Sequence, residues 1–157
     1  MSTIESRLAS LGLTLPTPAA PIANYVGYVV TGKLVVVSGQ LCFGPDGKLA
    51  DGHKGKLGAG VSLEAGQEAA RFCGINLLAM AKAAAGGDLE RIARCVKLVG
   101  FINSAPDFAS LPQVMNGASD LMVAVLGDRG RHARSTIGMA QLPLDAAVEV
   151  EAMFELV

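Results

Sequence analysis

Ile4, Leu8 and Leu11 recur at helical spacing behind Ser2-Thr-Ile-Glu5, a capping-box pattern, and Gly12 stops the run. This predicts a short lead-in helix. Leu15-Pro-Thr-Pro18-Ala-Ala-Pro21 cannot prolong it, because proline lacks an amide donor and turns the residue before it away from helical angles. An extended linker is expected there. β-branched runs from Tyr25 to Val30 and from Lys33 to Cys42 flank Thr31-Gly32 as a hairpin, and Gly44-Pro-Asp-Gly47 marks a turn. Four glycines within 51–60 predict a flexible connection to Ser62, the N-cap of a helix running to about Ala85 before Gly86-Gly87. Its apolar stripe is Ala69, Cys73, Leu77, Met80 and Ala84.

Ile92 to Asn103 is apolar on both sides, with Cys95, Val99 and Phe101 alternating with Val96, Leu98 and Ile102, so a central strand is predicted. Ser110 caps a second long helix with Pro112 in its first turn, a stripe of Val114, Ala118, Leu121 and Val125, and a Gly127 stop. Arg134 to Leu142 and Ala147 to Leu156 read as final strands around Pro143-Leu-Asp145. In the last, Val148, Val150, Ala152, Phe154 and Leu156 stand opposite Glu149, Glu151, Met153 and Glu155. The pattern is α+β: a single mixed β-sheet with two helices packed on one face. Two helices cover only that face, and the other needs a partner.

Composition reinforces this. The 157 residues suit one domain, 1–157, with 1–21 as helix and proline-rich lead-in. Charged residues are 17% of the chain against roughly 25% in an ordinary soluble domain, while 51% are hydrophobic and mean hydropathy is +0.43. A surface so short of charge is expected to face another copy of the chain. The formal charge of −1 removes the basic field that nonspecific nucleic-acid binding needs. Apolar stretches such as Leu34 to Val37 are far below the ~18 residues of a membrane span. With no basic-then-apolar start, no signal peptide is predicted and the expected location is cytoplasmic. Cys42, Cys73 and Cys95 lack the C-x-x-C spacing of a zinc ribbon and are expected to be reduced and buried. His53 and His132 are the only histidines, so no metal and no cofactor is expected.

Gly44-Pro-Asp-Gly47-Lys48 is too short for a phosphate loop and lacks the Ser or Thr after the lysine. Asp128-Arg-Gly-Arg-His-Ala-Arg134 is the dense cationic cluster. Arg129 and Arg131 read as solvated loop residues. Arg134 precedes a small, mostly apolar strand and is the candidate for a cleft-facing carboxylate or phosphate clamp. Glu149, Glu151 and Glu155 share a strand face. If the last two strands formed a simple hairpin, Arg134 would face Glu155 and lie about 20 Å from Glu149. An Arg134–Glu149 site would need different strand pairing or two chains.

Val37-Ser38-Gly39-Gln40, Asn103-Ser-Ala-Pro-Asp107-Phe108, Asn116-Gly-Ala-Ser119-Asp120-Leu121, Ala133-Arg134-Ser135-Thr-Ile137, Leu142-Pro143 and Val148-Glu149-Val150 resemble the RidA/YjgF superfamily, the reactive intermediate deaminases also called endoribonuclease L-PSP proteins. The resemblance covers most of the chain from Tyr25 onward. It implies a chorismate-mutase-like homotrimer with its sites in clefts between subunits. It carries Arg134 onto the substrate-carboxylate position and Glu149 onto the acidic position near the attacking water. Tyr25, Ser38, Gly39 and Asn116 fall on pocket-lining positions. The chain departs at Thr136, where cysteine is frequent, and at His132, where a small residue or proline is usual. The implied reaction is hydrolysis of a small 2-imino or 2-enamino acid to a 2-keto acid and ammonia, with Thr136 assisting Glu149. The alternatives are a non-catalytic trimer that binds small carboxylates and, behind it, a ribonuclease.

Overall fold

A computed structural model describes residues 3–18, 20 and 23–157. The lead-in helix α1 spans Thr3–Ser10 and buries Ile4 and Leu8. Ser2 and Pro21 of the predicted capping box and linker lie outside the described residues. Glu5 reaches Lys82 of the first long helix at 2.8 Å. The hairpin forms from β1 (Tyr28–Thr31) and β2 (Leu34–Leu41), with Thr31 opposite Leu34 and Gly32 at the positive φ the tight turn requires. Tyr25 falls before the strand, not within it.

The glycine-rich stretch is ordered rather than a plain flexible connection. A 3₁₀ turn (Asp51–His53) leads into β3 (Lys56–Leu57) and β4 (Gly60–Val61), which pair parallel, and His53 and Leu57 are buried. Ser62 then caps α2 (Leu63–Ala84), its Oγ accepting from the Ala65 amide at 3.1 Å. Such a cap is worth about 1 kcal/mol. Next come β5 (Ile92–Asn103), α3 (Leu111–Leu126), β6 (Ala133–Met139) and β7 (Val148–Leu156). Ser110 precedes α3 but makes no capping bond; Pro112 in the first turn sets the helix start instead.

The main sheet has the order β1-β2-β7-β5-β6. β5 runs parallel to β6 and antiparallel to β7. The last two strands are therefore not a hairpin. A strand, a crossover helix and a second strand give the parallel β5–α3–β6 unit, and β7 inserts on the other side of β5. The link between β6 and β7 carries Leu144 and Asp145 at φ 56° and 57°. Asn103, fully buried, donates to Asp145 at 3.1 Å and to the Ala146 carbonyl at 3.2 Å, which ties that link to the end of β5.

α2 and α3 cover one face of the sheet, burying Val35, Val37, Leu98, Ile102, Val148, Val150 and Phe154 with the predicted helix stripes, Ala84 being only half-buried. The alternation of β5 is interrupted by a register shift between Cys95 and Lys97. The bulge puts Cys95 and Leu98 on the same buried face, where unbroken alternation would separate them. All three cysteines are buried and free. The Cys42 and Cys73 thiols donate to the carbonyls of His53 and Val148, and burial pushes the Cys95 thiol up to about 12. The open face mixes Val36, Val99, Phe101, Met153 and Ile137 with Lys97, Glu149 and Glu151, and Ile137 is 47% exposed. Among the described residues no helix is long and apolar enough to cross a membrane.

Candidate functional site

Arg134 lies on β6, the edge strand, directly opposite Leu98. Leu98 faces the helices, so Arg134 does too, and its guanidinium meets α3. Nη1 donates to Asn116 Oδ1 at 2.8 Å and to Ser119 Oγ at 3.2 Å, and Nη2 donates to the Pro112 carbonyl at 3.3 Å. Guanidinium has five N–H donors. Three are engaged by neutral oxygens, which leaves Nε–H and one Nη2–H for a ligand. Among the described residues Arg134 forms no ion pair, whereas Arg129 is bound to Glu90 at 2.9 Å and Arg131 lies 3.5 Å from Asp128. Arg129 also donates to the Glu90 and Ile92 carbonyls. It is therefore a tether rather than a solvated loop residue.

Gly117 makes this geometry possible. A Cβ there would land on the Gln67 carbonyl of α2, so only glycine lets α3 lie this close. Asn116 is thereby set beside β6. Thr136, two residues beyond Arg134, lies opposite Gly100 on the same side of the sheet.

Glu149 occupies a different place. It pairs with Phe101 and Leu41 on the open face. β2 carries a bulge at this level: Val37 pairs with Ala152 and Gln40 with Val150, so Ser38 and Gly39 together oppose Glu151. The Glu149 carboxyl leans over Gly39, where a Cβ would strike its Oε1 and sit 3.0 Å from its Cδ. Ser38 Oγ donates to the Val26 carbonyl at 2.6 Å and the Ser38 amide to the Gly27 carbonyl at 2.9 Å. These bonds bring Tyr25, 58% exposed, to the same end of the sheet. Burial first, and the neighbouring Glu151 carboxylate second, raise the Glu149 carboxyl above its ordinary value of 4.5.

The structure thus brings the predicted residues together in two groups. Arg134, Asn116 and Thr136 form one; Glu149, Gly39, Ser38 and Tyr25 form the other. Along the sheet Arg134 and Glu149 stand three residues and two strands apart, about 14 Å, and on opposite faces. One chain does not join them. Ser119 and His132 were not among the predicted site residues, yet Ser119 binds Arg134 and His132 binds Ser119 at 2.9 Å. The unusual histidine beside Ala133-Arg134 was the available signal. Among the described residues no cluster of three or more His, Cys, Asp or Glu is arranged to hold a metal ion.

The model of the YjgF/chorismate mutase-like, putative endoribonuclease family matches residues 5–156. Protein TCP17 of Trypanosoma cruzi is 47% identical over 154 residues, covering 98% of this chain and 94% of its own. A crystal structure of an Agrobacterium tumefaciens protein of unknown function is also 47% identical and superposes with a TM-score of 0.90, over 98% of this chain and 92% of that one. RidA from the Antarctic bacterium Psychrobacter sp. is 29% identical, with a TM-score of 0.60 over 91% of this chain and 96% of its own.

Proposed function

The chain belongs to the YjgF/chorismate-mutase-like, putative endoribonuclease family, and from that membership we propose that it hydrolyses small 2-imino or 2-enamino acids to 2-keto acids and ammonia. The observation that carries this is Arg134, a cation held by three neutral oxygens with two donors free. That arrangement suits a planar carboxylate, which accepts two parallel N–H bonds. Similarity to a RidA protein supports the same reading.

Arg134 fixes the substrate carboxylate and so orients the adjacent imine carbon. Water adds to that carbon as Glu149 takes its proton; a carboxyl raised by burial is a stronger base than an exposed one. The Thr136 hydroxyl steadies the water. Return of that proton to nitrogen gives the carbinolamine; Glu149 then passes the hydroxyl proton to nitrogen, and the carbonyl forms as the C–N bond breaks and ammonia leaves. The imine carbon is already electrophilic, so neither covalent nucleophile nor metal is required. Because Arg134 and Glu149 do not meet within one chain, the complete site lies between copies, in the homotrimer that the family resemblance implies.

One observation favours a second reading, a non-catalytic binder of small carboxylates: the Arg134 group is complete within one chain, whereas the Glu149 group is needed only for chemistry. A ribonuclease is disfavoured by a formal charge of −1 and by Phe 5, Tyr 2 and Trp 0, which supply little backbone attraction or base stacking. The test generates 2-iminobutanoate or 2-iminopropanoate with an amino-acid oxidase and follows keto-acid release. Acceleration by the protein supports the hydrolase. Carboxylate binding without acceleration makes the binder the correct reading.

A further inference from the structure

The reaction proposed above assigns no role to His132, which lies at the entrance to β6. Its Nδ1 is 2.6 Å from the Gly130 carbonyl oxygen, which can only accept, so the hydrogen-bond network assigns a proton to Nδ1. In the neutral ring Nε2 is then an acceptor, and Ser119 Oγ lies 2.9 Å from it. The single hydroxyl proton of Ser119 therefore points at His132. Its lone pairs are left to face Arg134 Nη1 at 3.2 Å. Without the imidazole the hydroxyl is free to rotate, and a proton turned towards the guanidinium would repel it.

Both ends of this chain are pinned to α3. A Cβ on Gly130 would collide with the Met122 carbonyl, so the carbonyl that anchors His132 is itself packed on the helix backbone. Asn116, the other acceptor for Nη1, is one turn from Ser119 on the same helix.

We propose that His132 is a positioning residue for Arg134: acting through the Ser119 hydroxyl, it fixes the guanidinium so that Nε–H and one Nη2–H face outward as a fork for a substrate carboxylate. The proposal rests on the reading of Arg134 given above. It concerns ligand binding, so its effect falls on KM and on carboxylate affinity more than on kcat.

The experiment measures 2-oxobutanoate affinity by calorimetry, and KM and kcat with 2-iminobutanoate, for the full-length protein and its variants. Thermal unfolding checks that each variant folds. His132→Ala and Ser119→Ala should each weaken 2-oxobutanoate binding by about three- to tenfold, the worth of one neutral hydrogen bond. The double variant should be no weaker than Ser119→Ala alone, since the influence passes through that hydroxyl. His132→Gln, whose amide oxygen reaches towards the Nε2 position, should recover much of the affinity. His132→Asn, which imitates only the Nδ1 anchor, should not. Additive losses in the double variant, full recovery by His132→Asn, or unchanged affinity in His132→Ala alongside lost affinity in Arg134→Ala would each overturn the role of His132. Unchanged affinity in Arg134→Ala would defeat the reading of Arg134 itself.

Discussion

The two groups of candidate residues are built on opposite principles. Around Arg134 three directed hydrogen bonds to α3 hold the cation, and the turn before β6 ties into the same helix through His132 and Ser119. Around Glu149 no donor is found among the described residues: the carboxyl rests against Gly39 in the β2 bulge, half-buried, with another carboxylate two residues away. The first arrangement has the geometry to hold a planar anion. The second leaves a carboxyl short of solvation and therefore basic. On the proposed function, binding and proton transfer would be separable within one fold, because the two groups stand on opposite faces of one sheet.

The largest expected effect breaks the comparison on the chemical side. Glu149→Gln removes the base while keeping shape, and kcat should fall by about 10²–10⁴-fold, with 2-oxobutanoate affinity nearly unchanged. A parallel loss of affinity would show that Glu149 shapes the carboxylate site. On the other side, Arg134→Ala should cost about 2–5 kcal/mol in kcat/KM, roughly thirtyfold to several thousandfold. Arg134→Lys should fail nearly as badly, because an ammonium lacks the planar fork. Arg131→Ala, which alters only exposed charge, should match wild type in the same keto-acid assay; an equal loss would mean that the cluster acts through bulk charge.

Gly117→Ala tests whether the Arg134 group depends on the close approach of α3 to α2. A methyl against the Gln67 carbonyl should destabilise the protein by about 1–3 kcal/mol in urea unfolding and weaken 2-oxobutanoate binding. The acid limb of the pH profile, which belongs to Glu149, should stay in place. Smaller still is the effect of Glu151→Gln. Glu149 accepts a proton only when ionised, and its carboxyl titrates above 4.5, so kcat/KM should fall with decreasing pH through a midpoint above that value. Removing the second cause of the shift should move this limb to lower pH. For stability the sign is opposite: a carboxyl raised in the folded state binds more protons than the unfolded chain does. Its contribution is therefore lost as pH rises through the folded value.

The helices, the interior position of β5 and the two-faced alternation of β7 were legible because local spacing and stop residues specify them. Ser62 and Gly127 mark helix ends through bonds and backbone angles that belong to the immediate chain. Strand pairing was not so written. Nothing in 134–156 shows that β7 crosses to the far side of β5, and the hairpin distance of about 20 Å follows from a neighbour relation the fold does not use. Two chemically important features were hidden for the same reason. Ser38-Gly39 becomes a bulge only when paired with β7, and the link from His132 through Ser119 to Arg134 joins residues 13 and 15 positions apart across a turn. Arg134 stood out as the cation leading a small, mostly apolar strand, whereas Glu149 was singled out only through resemblance, since periodicity alone did not distinguish it from Glu151 and Glu155.

The central claim is that one copy's Arg134 group works with another copy's Glu149 group. Mixing Arg134→Ala with Glu149→Gln chains tests it most directly, because each alone lacks one half of every site. In a closed ring of randomly mixed copies about a quarter of the clefts regain both halves, so co-refolded or co-expressed mixtures should recover about a quarter of wild-type 2-iminobutanoate hydrolysis. Mixed oligomers that form, as shown by differently tagged chains purifying together, yet remain as inactive as either parent would contradict the account.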